Sequence, residues 1–259
     1  MATNKNQHFV PRCYLRPFTL DCADAAISLY NIDRRRVIVG APVKNQCAGN
    51  YFYGKDPVLE KLIQGMESLY ANVLQEIQGQ KLALADDVRY ALKSFWLLQH
   101  LRTEAASQRS VQMATMTDDA IASPDFSSRL EIREAVQMAM RVFSESRDII
   151  SDLKVCIMRN RTRVPFFTSD DPAILTNRWY FESSRALGHA FGMHSAGALC
   201  LLPLTPTLIF LAYDGNVHSI PHENGFAEVA RAADVESFNE HQFLNCRANI
   251  FLHDPNDSG

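Results

Sequence analysis

Phe166-Phe167-Thr168-Ser169-Asp170-Asp171-Pro172 is the stretch from which the rest of the chain can be read. Pro165 opens it, and Phe166, Phe167 and Thr168 suit a half-buried strand, because aromatic and β-branched side chains pack well on a pleated surface. Asp171 precedes a proline and is therefore biased to extended backbone. Neighbours on a strand point to opposite faces, so at most one of Asp170 and Asp171 is expected to look into the fold. The simpler reading of Ser-Asp-Asp-Pro is a turn, since each of these residues favours one.

Working outward, Leu153 to Met158 and Val164 to Thr168 read as two strands. Arg159-Asn160-Arg161-Thr162-Arg163 lies between them as a basic hairpin tip. This tip, with Arg161 at its centre, is the best local candidate for holding a phosphate; an exposed turn without a ligand is the plainer alternative. Ala198 to Leu202 and Leu208 to Tyr213 are strands separated by Pro203-Leu204-Thr205-Pro206, with a turn at Asp214-Gly215. Asp234 can cap a last helix, whose inward stripe of Val235, Phe238 and Cys246 also carries Asn239 and Gln242. Asn249 to His253 forms a final strand. Near the start, Ile27 to Tyr30 and Val37 to Val39 form a hairpin around Asp33-Arg34-Arg35-Arg36, most simply a solvated turn.

The middle of the chain is helical. Asp56-Pro57 is a helix start, and Leu59, Leu62, Ile63, Met66, Tyr70, Val73, Leu74 and Ile77 keep helical spacing. Glu60 and Glu67 share a face bordering that stripe. In the next helix, from Asp86 or Asp87, the stripe of Val88, Leu92 and Phe95 continues through Gln99 and Arg102, which should point inward, and His100 should point outward. A buried guanidinium must be paired, and Glu67 and Asp170 are the candidate partners. Ser128-x-x-Glu131 fits a capping box for a helix with Ile132, Val136, Ala139, Phe143 and Ile150 on one face. The fold class is therefore α+β: one domain over 1–259, with a central helical segment of roughly 57–150 packed on a mainly antiparallel sheet formed largely by the C-terminal half.

The 47% of apolar residues supplies a sizeable core, and a net charge of −3 gives no support for a general polyanion binder. Six cysteines without a Cys-x-x-Cys argue against a zinc cluster or disulfide scaffold and suit a reducing cytoplasm. No apolar run reaches transmembrane length, and the first residues contain no signal-peptide core. The glycine-rich Gly188 to Gly197, with His189 and His194, matches neither a P-loop nor a dinucleotide fingerprint and lacks the spacing of a helical zinc pair.

The chain resembles a known family in Gln7-His8-Phe9-Val10-Pro11-Arg12 with Tyr14, Leu15, Arg16 and Phe18, then Asn50-Tyr51-Phe52-Tyr53, Glu60, Glu67 and Gln99-x-x-Arg102-Thr103. The resemblance continues through Thr168 to Pro172, Pro203 to Pro206 and Asn239. These motifs, in this order, are similar to those of the domain-of-unknown-function family 4238 and cover most of the chain. That family usually has Asp-Asn-Pro where Asp170-Asp171-Pro172 stands, which implies a structural part for Asp171 and favours Asp170 for a role. The resemblance implies no reaction.

Polar groups placed on inward faces far apart in sequence are how active sites are assembled. His8, Glu60, Glu67, Gln99, Arg102, Asp170, Asn239 and Gln242 form such a set. The leading expectation is a metal-dependent phosphodiester hydrolase, most simply a nuclease acting on nucleic acid. Glu67 and Asp170 would bind Mg²⁺ or Mn²⁺ to activate water, His8 would act as acid or base, and Arg102 would stabilise the phosphate charge. Gln99, Arg161, Asn239 and Gln242 would contact substrate. In a second reading the polar set is a structural brace, and the basic tips contact a partner protein or nucleic acid. In a third, Arg102 is the anion clamp of a small-anion sensor.

Overall fold

The computed structural model describes residues 5–20, 25–79, 83–121, 132–145, 147–177 and 192–253. Among these residues the fold is α+β, with six helices and three sheets. The helices are α1 (Arg12–Leu15), α2 (Pro57–Gly79), α3 (Asp86–Arg102), α4 (Glu104–Ile121), α5 (Ile132–Glu145) and α6 (Ala232–Asn245). The longer helices of the middle segment thus precede most of the C-terminal strands. The capping box at Ser128–Glu131 and His189 lie outside the described residues.

A two-stranded sheet pairs β1 (Asn6–His8) with β4 (Ala48–Asn50). A four-stranded sheet has the order β3 (Arg36–Pro42), β2 (Ala26–Asn31), β11 (Asn249–Leu252), β6 (Thr168–Ser169). A five-stranded sheet has the order β10 (Phe226–Val229), β5 (Lys154–Asn160), β9 (Leu208–Tyr213), β8 (Leu199–Thr205), β7 (Ile174–Thr176). Every pairing is antiparallel except β10 with β5.

Two expectations about strands are corrected here. Lys154–Asn160 and the segment after it do not form a hairpin: β5 pairs with β9 and β10, whereas β6 joins β11 in the other sheet. The strand partners lie tens of residues away in sequence, which local patterning does not reveal. The strand before Pro203 also continues through Pro203 and Leu204 to Thr205.

Helix α3 is the centre of the molecule. The sequence reading gave it one inward stripe, but every residue from Ala91 to Gln99 is buried, as expected of a helix packed on all sides. Phe95 stacks on Tyr70 of α2 with ring centroids 3.8 Å apart, and Trp96 Nε1 donates to Leu201 O at 3.1 Å. Lys93 lies along the apolar surface and its Nζ reaches Ser151 O at 2.6 Å. His100 is not outward either. Its ring lies flat on Trp96 with centroids 4.9 Å apart, and its Nδ1 is 2.9 Å from Ala173 O. At the C-terminal helix, Arg231 holds the cap position and Asp234 falls in the first turn.

Candidate functional site

The N-terminal segment and α2 face each other across a cleft of about 490 Å³, within the range that holds a small ligand. Helix α2 starts where it does because Asp56 Oδ1 accepts the Val58 N–H at 2.8 Å and Pro57 pre-sets the first turn. From there, Glu60 and Glu67 reach the cleft from the same side of the helix, being two turns apart. The opposite wall carries His8, Arg12, Cys13 and Tyr53.

That opposite wall is fastened by its own polar groups. Gln7 Oε1 accepts the Tyr53 N–H at 2.8 Å, and its Nε2 donates to Gly54 O at 3.1 Å. Tyr53 Oη donates to His8 O at 3.1 Å. The strand pairing of β1 with β4 sets His8 opposite Ala48. The first residues and the 50–54 turn are thus one unit.

Arg102 lies behind the cleft with no exposure. Its Nη1 donates to Glu67 Oε1 at 2.8 Å and its Nε donates to Gln99 Oε1. Gln99 Nε2 in turn donates to Phe9 O at 3.4 Å, so one chain of bonds runs from α2 through α3 to the residue after His8. Burial opposes the charge on Arg102, but Tyr53 and Glu67 beside it outweigh that and hold its pKa above the ordinary value. Nη2 is buried without a hydrogen-bond partner among the described residues. Arg102 therefore presents Glu67 to the cleft, and the cleft-facing cation is Arg12. Cys13 also lines the cleft, but burial, reinforced by Glu67, pushes its thiol up to about 12. It stays protonated and is a poor nucleophile at neutral pH.

The 165–172 segment is organised differently. Asp170 accepts three backbone N–H groups: Arg247 at 2.8 Å, Ala248 at 2.9 Å and Asn249 at 3.0 Å. Burial raises its pKa and those three donors pull it back. Asp171 is fully buried; Oδ1 accepts from Thr103 Oγ1 at 2.6 Å, and Oδ2 accepts from Arg109 and, at 3.0 Å, from Asn245 Nδ2. Both carboxylates look inward, contrary to the expectation of one, because the backbone bends after Ser169 and strand alternation stops there. Asn239 joins this network by accepting Phe167 N–H at 3.1 Å and donating to Pro165 O at 2.9 Å. Gln242 accepts from Ser169 Oγ and donates to Pro172 O, each at 2.8 Å.

The structure therefore brings His8, Glu60 and Glu67 to one cleft, with Gln99 and Arg102 behind it, and puts Asp170, Asn239 and Gln242 in a separate network. Glu67 and Asp170 share no partner and do not meet as the expected metal pair. Among the described residues no group of three or more His, Cys, Asp or Glu side chains is placed to hold a metal ion. Arg161 stands apart from both and is paired with Glu228, its Nη2 2.6 Å from Oε1. Beside it, Arg159 lies over the Phe226 ring at 4.0 Å.

The family described as "Protein of unknown function (DUF4238)" matches residues 6–256. The chain belongs to the DUF4238 family. No curated protein and no solved structure matches this DUF4238 chain.

The sequence assigns no role to Arg12, Tyr53, Thr103, Arg109 or Asn245, although Arg12, Tyr53 and Thr103 stand in the motifs shared with the family. Two signals were available for the last network: Thr103 directly follows Arg102, and Asn245 lies three residues after Gln242, on the same helix face. Nothing in the spacing of Arg12 and Tyr53 announces that they meet.

Proposed function

We propose that the cleft between the N-terminal segment and α2 is the functional centre of this protein, and that it hydrolyses a phosphodiester. The observation that carries this reading is the convergence of His8, Arg12, Glu60 and Glu67 on one ligand-sized space, with a fully buried arginine devoted to orienting Glu67. In this reading Arg12 holds the phosphate and offsets its developing charge. Glu67 orients or deprotonates the attacking water, and His8 exchanges the proton with the leaving oxygen. Mg²⁺ or Mn²⁺ would be held at Glu67 with water and the substrate phosphate, since Mg²⁺ is commonly bound by one or two carboxylates. Glu60, about 10.5 Å away along the helix axis, would not share the ion. Asp170 takes no part in this scheme, since its oxygens are committed to backbone amides.

No helix among the described residues is long and apolar enough to cross a membrane. The described cysteines Cys13, Cys47, Cys156, Cys200 and Cys246 are free thiols, which supports a reducing, cytoplasmic setting in this reading.

The test is cleavage of end-labelled RNA and DNA by wild type and Glu67→Gln, with and without Mg²⁺ or Mn²⁺. The expected result is metal-dependent cleavage reduced at least about a hundredfold in a folded variant, the usual scale for losing an acid–base group. Cleavage that survives in Glu67→Gln contradicts the assignment.

A further inference from the structure

The strand β3 is an open edge, and its chemistry points to a partner. It ends the four-stranded sheet, pairing only with β2 among the described residues. An edge strand presents a row of unpaired N–H and C=O groups, which proteins usually cover, shorten or blunt. Here the edge remains usable over Arg36 to Val39. Beyond that, Gly40 takes φ +71° and the register against β2 is irregular near Ile27 and Leu29, so the edge turns away. Val37 and Val39, on one face of the strand, are 37% and 60% exposed.

The turn that leads into this edge is Asp33-Arg34-Arg35-Arg36, all exposed. The three guanidinium groups have no ion-pair partner among the described residues, Asp33 included, whereas Arg102, Arg109, Arg161 and Arg247 each have one. A free edge, two exposed valines and three unmatched cations form one continuous surface.

We propose that β3 receives an extended acidic segment of a partner protein, which adds as a fifth strand to the four-stranded sheet. Main-chain hydrogen bonds to Arg36–Val39 provide the affinity, and side chains alternating along the added strand meet Val37 and Val39. Carboxylates at one end of the segment pair with Arg34, Arg35 and Arg36. A second copy of this chain fits less well: edge-to-edge pairing of two β3 strands leaves both arginine turns without countercharge. Nucleic acid would use the arginines but has no use for the strand edge. This surface is separate from the α2 cleft, so neither reading depends on the other.

The experiment uses the full chain and a fluorescein-labelled peptide of alternating Glu and Val. Controls are a peptide of equal charge with proline at alternate positions and a single-stranded RNA oligonucleotide. Binding is followed by fluorescence anisotropy and by hydrogen exchange at residues 36–39. The Glu-Val peptide is expected to bind, to protect amides of 36–39, and to lose about tenfold or more in affinity with Arg34→Glu/Arg35→Glu/Arg36→Glu, as expected when charge complementarity is reversed. Equal binding of the proline peptide overturns strand addition. RNA binding without peptide binding reassigns the surface to nucleic acid, and protection that grows with protein concentration alone reassigns it to a second copy. No binding at millimolar peptide also overturns the proposal.

Discussion

The α2 cleft and the 165–172 segment are built from the same chemical types: buried or half-buried carboxylates, an arginine and side-chain amides. They differ in what those groups bond to. In the segment, Asp170 takes three amide N–H groups, Asp171 takes a hydroxyl, a guanidinium and an amide, and Asn239 and Gln242 tie down backbone on either side. The bonds converge on the loop itself and on the junction of α3 with α4 at Thr103. In the cleft, the bonds run behind the wall, from Arg102 to Glu67 and Gln99, while Glu60, Glu67, His8 and Arg12 keep contact with open space. A convergence of polar residues is thus a site only when part of the set still faces a volume; otherwise it is a brace.

The comparison can be broken first at Asp171. Replacing it with alanine leaves Thr103, Arg109 and Asn245 without their shared acceptor. The expected loss is about 3 kcal/mol in urea unfolding, from the buried Thr103 hydroxyl and the Asn245 amide losing their acceptor, while Arg109 is 44% exposed and stays hydrated. A loss under about 1 kcal/mol would mean that the segment is not a brace.

The Glu67–Arg102 pair sharpens the comparison by its asymmetry. Arg102 has no side-chain exposure and Glu67 has 25%. Glu67→Ala leaves a buried guanidinium without its carboxylate and should cost about 3 kcal/mol. Arg102→Met leaves Glu67 where water can reach it and should cost less. In the double variant Glu67→Ala/Arg102→Met, the two losses should be less than additive, as in any coupled pair.

A smaller effect is expected at His100, which packs between Trp96 and the Ala173 carbonyl close to the Asp171 network. Burial lowers its pKa below the ordinary value, so the folded protein resists its protonation. The unfolded chain takes up that proton at about pH 6.5. Nothing is lost above that pH; stability falls as the pH drops from there toward the lower folded value. His100→Gln should flatten the slope of unfolding free energy against pH in that window.

Helical periodicity made much of this legible before the structure. Gln99, Arg102, Asn239 and Gln242 all point inward, as their spacing required, and Glu67 proved to be the partner of Arg102. Periodicity says which way a residue points and not what it meets. Spacing alone points Asn239 and Gln242 toward a substrate, yet they bond the 165–172 segment. The inward turn of both Asp170 and Asp171 was hidden because the alternation rule ends where the strand does. The Arg161 tip looks like a hairpin in sequence but is not one, because β5 pairs with strands far along the chain. Arg12 and Tyr53 reach the cleft through the packing of the first residues on α2, a contact with no sequence period.

The most direct test of the distinction between brace and cleft is the urea unfolding free energy of Asp170→Ala beside that of Glu60→Gln. Asp170→Ala leaves three amide N–H groups of residues 247–249 without an acceptor and should lose about 3 kcal/mol. Glu60→Gln should stay within about 0.5 kcal/mol of wild type, because that carboxylate faces the cleft. A near-neutral Asp170→Ala, or a Glu60→Gln loss of the same size, would contradict the account.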